Sequence, residues 1–114
     1  MGPFLQVGGE WDIARTNGFR VSVNISQRED KLSAFASHSA GRVQSTEAPG
    51  FVAGPNFQMT ITWDNGTQGL YTGKLTHGPF TPPPIGFLKG HTKDLTHPGI
   101  EADWESDGRV FQIE

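Results

Sequence analysis

Apolar and polar side chains alternate strictly in two segments of the chain. In residues 19–26 and again in residues 57–64, every second side chain is apolar. The apolar positions are Phe19, Val21, Val23 and Ile25 in the first segment and Phe57, Met59, Ile61 and Trp63 in the second. A period of two is typical of a β-strand with one buried face, whereas a helical period would scatter these side chains around the axis. The pattern therefore predicts two half-buried strands.

Weaker alternation predicts further strands, and turn residues separate them. The additional segments are residues 10–15, 31–39, 50–54, 69–76, 85–93, 100–105 and 109–113. Between segments, Asn17-Gly18, Asn65-Gly66 and Asp107-Gly108 supply the positive φ angles that tight hairpins need. About eight or nine strands at short spacing favour an antiparallel meander, and closure of the meander removes exposed strand edges. We therefore expect an all-β fold, a single up-and-down barrel of about eight strands.

The segment 77–84 interrupts the alternation because it holds three consecutive prolines, Pro82, Pro83 and Pro84. Proline lacks an amide donor and favours an extended polyproline path, so this segment is predicted to be a loop. It serves either as a rigid connector between strands or as a stiff lid or contact surface. We expect a single domain over residues 1–114, with residues 1–8 as a flexible N-terminal extension.

Composition and charge exclude several classes of function. Charged residues make up 18% of the chain, the formal net charge is −3 and the basic residues do not cluster, so nucleic-acid binding is not expected. No apolar run approaches the length of a membrane helix, and the N-terminus lacks the basic and apolar regions of a secretory signal. We expect a soluble protein that does not contact a membrane, and its location in the cell stays open.

The chain contains no cysteine, which excludes disulfides, thiolate catalysis and cysteine-ligated metal sites. The histidines are His38, His77, His91 and His97. Their spacing lacks the compact pairs that predict a zinc site, so we expect neither a metal nor a cofactor. His38 continues the inward face of residues 32–36 and is predicted to point into the barrel, either for function or to hydrogen-bond a neighbouring strand.

No catalytic signature is evident in the sequence. The serines lack the motif of a nucleophile elbow. The acidic residues near the C-terminus are Glu101, Asp103 and Glu105, and they alternate with apolar positions as the solvated face of a strand does. A paired-carboxylate hydrolase would need two carboxylates that face one cleft. We therefore assign no catalytic residue.

Four aromatic residues are candidates for a binding site. Trp63 and Trp104 each end an alternating run just before a polar turn, so both could lie at one mouth of a barrel, where small-molecule sites form. Tyr71 either shares the inward face, with its hydroxyl as a donor inside such a pocket, or is a cross-strand aromatic with its hydroxyl in solvent. Trp11 has an equally good interpretation as a plug of the core, because tryptophan gains most from burial.

Short motifs in order along most of the chain resemble the avidin/streptavidin family, a branch of the calycin barrels that includes the lipocalins. The motifs are Gly9-Glu10-Trp11, residues 32–39, residues 51–54, residues 59–65, Tyr71-Thr72-Gly73 and Trp104-Glu105-Ser106. In the same order, they are similar to six features of the family: its opening G-x-W strand, its third strand, its fourth strand, a strand that ends in Trp before a turn, an aromatic residue ahead of Gly, and a Trp before the last strand.

The resemblance implies a meander barrel with a ligand at its mouth. Trp63, Tyr71 and Trp104 would correspond to the aromatic walls of the family's biotin pocket. The approximate counterparts of its polar residues are Asp12, Asn17 and His38, with Asp107 near the start of the last strand. Ala36 stands where the family has a pocket Tyr. Since the partners of the biotin head are incomplete, the expected ligand is a small, partly apolar molecule.

The sequence is compatible with three functions. The first is a non-enzymatic binding protein with Trp63, Trp104, Tyr71 and Trp11 as walls. The second is a lectin-like carbohydrate- or protein-binding module that uses the outer strands and loops. The third is a barrel enzyme of isomerase or cyclase type, with His38 or Tyr71 as the acid or base. A homo-oligomer is also expected, through the outward apolar residues Phe35, Leu70 and Leu88.

Overall fold

The computed structural model describes residues 4–16, 18–38, 41–76, 85–107 and 109–113. Within these ranges the regular structure consists of β-strands. They are β1 (Gly9–Arg15), β2 (Arg20–Arg28), β3 (Lys31–His38), β4 (Val43–Glu47), β5 (Pro49–Ala53), β6 (Asn56–Trp63), β7 (Gln68–Thr76), β8 (Ile85–Asp94), β9 (Glu101–Asp107) and β10 (Phe111–Gln112). The part of the chain described contains no helix long and apolar enough to cross a membrane.

The strands close into one antiparallel barrel. Each of β1, β2 and β3 pairs with the next, β4 and β5 share the position between β3 and β6, and β6, β7, β8 and β9 follow in order. Strand β9 pairs with β1 and closes the ring, while β10 pairs with the first residues of β8. The eight-stranded up-and-down barrel confirms the predicted fold class.

Strand β4 is not among the segments that alternation predicts. Its one large apolar residue is Val43, and half-buried Ser45 accepts a hydrogen bond from the Ala36 backbone N–H at 2.8 Å. The pairing of β4 with β6 also shifts register between Ser45 and Glu47, as at a β-bulge. A polar residue on the inner side and a bulge both hide the period of two.

Aromatic rings fill the middle of the barrel. The Trp11 ring centroid lies 5.0 Å from that of Phe111 and 5.9 Å from that of Phe57, and the Trp104 centroid lies 5.9 Å from that of Phe57. The edge-on angles of these three pairs are the arrangement that aromatic quadrupoles favour. Trp104 fits because Gly73 has no side chain: a Cβ there would lie 2.7 Å from the indole Cζ2.

Residues 4–8 pack against one end of the barrel, in contrast to the flexible extension expected for residues 1–8. Leu5 and Val7 are fully buried, and the Gln6 N–H donates to the Gln112 carbonyl at 2.9 Å. The Gln27 amide donates to the Leu5 carbonyl and accepts the Val7 N–H, each at 2.8 Å. We call this the closed end. The opposite end, where β1, β3 and β6 finish, is the open mouth.

The outward apolar face is only partly as predicted. Phe35 is 52% exposed and Leu70 is half-buried, but Leu88 is fully buried, so its outward assignment is wrong. The other positions on the face of Leu88 are Gly86, Gly90 and Thr92. Glycine and threonine add little hydrophobicity to the inner face of β8. In the sequence, Phe87 therefore makes the outer face of this strand look like the buried one.

Candidate functional site at the open mouth

The open mouth is built from inward-facing side chains at strand ends. Arg15 ends β1, His38 ends β3, Trp63 ends β6 and Asp94 ends β8. These four residues line both a cavity of ≈ 110 Å³ and one of ≈ 210 Å³. Tyr71 of β7 lines the smaller cavity as well. Antiparallel strands that alternate in direction bring these residues, distant in sequence, to one end.

His38 and Trp63 form one wall of the mouth. Their ring centroids are 4.5 Å apart and the rings stand at 81° to each other. Burial lowers the pKa of His38 from its ordinary value of 6.5, and the charge of Arg15 lowers it further, whereas Asp64 acts in the opposite direction. The imidazole is therefore neutral at neutral pH and has one donor and one acceptor nitrogen.

Tyr71 and Thr92 form the polar floor of the mouth. Tyr71 is 1% exposed and Thr92 is 2% exposed. Burial raises the pKa of Tyr71 above 10.0, while the charge of Arg15 and hydrogen bonds with the Thr92 and Arg15 side chains lower it less strongly. The hydroxyl therefore stays protonated at neutral pH. Directly beneath, the Trp104 ring centroid lies 6.5 Å from that of Tyr71, so the floor rests on the aromatic core.

Arg15 places a cationic group at the mouth. Its guanidinium carbon lies 5.6 Å from the Phe19 ring centroid. Within the described ranges, its Nε is the one buried side-chain nitrogen or oxygen that lacks a hydrogen-bond partner. A buried donor without a partner is uncommon in native proteins and calls for an explanation such as a functional role.

Asp94 is occupied by the loop between β8 and β9. Its carboxylate accepts the N–H groups of Thr96 at 2.8 Å and His97 at 2.9 Å, and lies 3.2 Å from the His97 Nδ1. Burial tends to raise the pKa of Asp94, but these hydrogen bonds together lower it below its ordinary value. Asp94 is therefore an ionised anchor of the loop.

The rim of the mouth is apolar. Phe19 is 53% exposed, Leu95 is 44% exposed and Ile100 is 52% exposed. Phe19 and Ile100 line the larger cavity together with Trp63. An apolar rim above a polar floor is the arrangement that suits a ligand with one polar end.

The structure brings three of the predicted site residues together, namely His38, Trp63 and Tyr71. Trp11 and Trp104 lie deeper, in the aromatic core; the Trp11 indole N–H donates to the Val7 carbonyl at 2.9 Å, and that of Trp104 to the His91 carbonyl at 3.2 Å.

Asp107 lies on the outer surface, where its carboxylate is 2.6 Å from Arg20 Nη1, and Asn17 lies outside the described residues. Arg15, Thr92 and Asp94 are absent from the predicted site. The sequence could have predicted Arg15 as an inward residue, because it follows Trp11 and Ile13 at a period of two and so shares their strand face.

A histidine on the outer wall is held between two carboxylates. The His91 Nε2 lies 2.6 Å from Glu101 and its Nδ1 lies 2.9 Å from Asp103. These hydrogen bonds raise the pKa of His91, Asp103 having the larger effect. Among the residues that the structure places, no group of three or more His, Asp or Glu is arranged to hold a metal ion.

The two histidines are expected to titrate on opposite sides of the ordinary value of 6.5. Protonated His91 stabilises the fold below that value, and its contribution is lost as pH rises through the raised pKa. Neutral His38 stabilises the fold above it, and its contribution is lost as pH falls through the lowered pKa. A ¹H–¹³C NMR titration measures both; Asp103→Asn should lower the pKa of His91 and leave that of His38 unchanged. The reverse order of the two pKa values would contradict these environments.

Comparison with known proteins bears on the fold. No protein-family model matches the chain, and no curated protein matches it. A solved structure described as the de novo design of a fluorescence-activating β-barrel covers 95% of this chain and 94% of its own, at 14% identity and a TM-score of 0.51. At this identity the likeness shows the barrel fold alone. That fold is consistent with the calycin-like barrel that the sequence resemblance implies, and the avidin-like assignment stays a prediction.

Proposed function

We propose that this protein is a non-enzymatic binding protein that holds a small, partly apolar ligand at the open mouth of its barrel. One observation carries the proposal: polar side chains converge on a cavity at one end of the barrel, whereas the other end is packed shut by Leu5 and Val7. A concave site with aromatic walls and a few oriented polar groups is the usual form of a small-molecule site.

The size of the mouth limits the ligand. The cavities of ≈ 110 and ≈ 210 Å³ share four lining residues, and together they only reach the lower end of the roughly 300–1,000 Å³ of sites for drug-sized ligands. Because Trp11, Phe57, Trp104 and Phe111 fill the space beneath, the ligand does not enter the middle of the barrel. Its polar end meets Tyr71, and its apolar part lies against Trp63 and the rim. The designed barrel with this fold is described as fluorescence-activating, which supports ligand binding by a barrel of this kind.

Replacement of Trp63 tests the proposal. For a ligand found by a screen of intrinsic tryptophan fluorescence, Trp63→Ala should raise the Kd about tenfold, because one aromatic wall is lost. Trp63→Phe should keep most of the affinity, measured by calorimetry, and lose most of the fluorescence change. Phe35→Ser on the outer wall is the matched control and should leave the Kd unchanged. Binding that is insensitive to Trp63→Ala would contradict a site at the mouth.

One observation favours a lectin-like second candidate. On the outer face of β1, β2 and β3, exposed Phe35 borders a shallow depression of ≈ 330 Å³ whose lining includes Asp12, Ser22 and Asn24. An exposed ring beside polar groups suits the apolar face and the hydroxyls of a sugar. The same variants separate the candidates, since Phe35→Ser would then abolish binding and Trp63→Ala would not.

A further inference from the structure

The guanidinium of Arg15 has no carboxylate partner in the described part of the chain. The ion pairs of 4.0 Å or less found there involve Arg20, His91 and His97. Arg15 instead lies against the Phe19 ring and shares the lining of the smaller cavity with Tyr71, whose pKa its charge lowers, and its Nε has no hydrogen-bond partner. It nevertheless lines both cavities of the mouth.

None of the other charged groups described at the mouth provides a free carboxylate to pair with Arg15. Asp94 lines the same cavities, but its carboxylate is held by Thr96 and His97 of the following loop. Lys93 adds a second cation to the lining of the smaller cavity. His38 is neutral at neutral pH. Partial burial of a guanidinium costs free energy, and an anion that pairs with it offsets this cost.

We propose that the mouth selects ligands that carry a carboxylate, and that Arg15 is the residue that binds this group. The inference rests on the proposed function and names its ligand class. The guanidinium is a planar fork of donors that matches the two oxygens of a carboxylate. The Tyr71 hydroxyl beside it supplies a further donor.

The geometry also orients the ligand. Tyr71 lies at the floor and Arg15 lines both cavities, whereas exposed Phe19 and Ile100 lie at the rim. A carboxylate on a short apolar body therefore enters with its charged end first, and its apolar end stays between Trp63 and the rim. A long chain does not fit, because the aromatic core beneath Tyr71 is closed.

The test uses three probes of similar shape and different charge: phenylacetate, its neutral amide phenylacetamide, and the cation 2-phenylethylamine. Calorimetry gives the Kd of each with the full chain, and the Trp63 indole N–H resonance in ¹H–¹⁵N NMR shows whether binding is at the mouth. Wild type should bind phenylacetate at least about tenfold more tightly than the amide, as expected for a charge-assisted pair. The amine should bind most weakly.

Two variants assign the preference to Arg15. Arg15→Gln should bring the Kd values of phenylacetate and phenylacetamide to within about threefold of each other. Arg15→Lys should retain part of the preference for phenylacetate, because the positive charge stays and the planar fork of donors is lost. Arg28→Gln, at an exposed position of β2 near the closed end, is the matched control and should behave as wild type. Thermal melts establish that each variant is folded, and the wild-type comparison of the three probes requires no variant.

The outcomes separate the two proposals. Equal affinity for the acid and the amide, or a preference for the amine, with shifts at Trp63, would overturn carboxylate selection and leave a binding site at the mouth. If none of the three probes binds or moves the Trp63 resonance, both the carboxylate inference and the mouth site fail. A preference for phenylacetate that survives in Arg15→Gln would transfer the role to another cation such as Lys93 and overturn the assignment to Arg15.

Discussion

Replacement of Gly90 by alanine is expected to destabilise the barrel by about 3 kcal/mol or more, at the upper end of overpacking effects. Gly90 pairs with Gly73 in β7 and with Trp104 in β9. An added Cβ would overlap the Thr72 carbonyl oxygen and the Gly73 Cα, and both are backbone atoms of a paired strand. No rotamer change relieves such an overlap, so the β7–β8 ladder must separate. Urea denaturation followed by circular dichroism measures the loss.

Gly8→Ala is the matched control for this substitution. A Cβ at Gly8 would lie 3.6 Å from the Gln27 Cβ, an ordinary van der Waals distance, and the φ of Gly8 is not in the left-handed region. The free energy of unfolding should change by less than about 0.5 kcal/mol. Similar urea midpoints for Gly90→Ala and wild type would show that β7 and β8 are not packed as closely as described.

Trp104→Ala should lower the free energy of unfolding by about 3–5 kcal/mol, the range for removal of a large aromatic side chain from a core. The indole contacts the rings of Trp11, Phe57 and Tyr71, and its N–H donates to the His91 carbonyl. Its removal leaves a dry apolar cavity in the middle of the barrel, and such cavities bind small aromatic molecules. Indole should therefore raise the melting temperature of the variant and leave that of wild type unchanged.

Val110→Ala is the control for this prediction because Val110 is 67% exposed and its loss should change stability by less than about 0.5 kcal/mol. A melting temperature of Trp104→Ala within a few degrees of wild type would mean that Trp104 is not part of the core. Stabilisation of wild type by indole would show that the middle of the barrel is accessible, in contrast to a ligand site confined to the mouth.

Strands and their buried faces were the most predictable features of this chain. The alternation of residues 19–26 and 57–64 corresponds to β2 and β6, whose inward residues are buried from Val21 to Ile25 and from Phe57 to Trp63. This information is local, because successive side chains of a strand point to opposite faces. The same rule fails where glycine occupies the inner face, as around Leu88, and where a bulge shifts the period, as in β4.

The site was less predictable, as the tryptophans illustrate. Trp63 and Trp104 both end an alternating run before a polar turn, yet Trp63 lies at the mouth and Trp104 in the middle of the barrel. Their depth follows from strand register: Trp104 is opposite Gly90, and Gly90 is opposite Gly73, which leaves space for the indole.

By itself the sequence determined that the chain forms antiparallel strands with one apolar face, because alternation and turn residues act between near neighbours in the chain. Only the tertiary structure decided which side chains meet at the mouth. Arg15, His38 and Tyr71 come from β1, β3 and β7, and closure of the barrel with one particular register brings them together. Register depends on pairing between strands far apart in sequence, and no single segment carries that information.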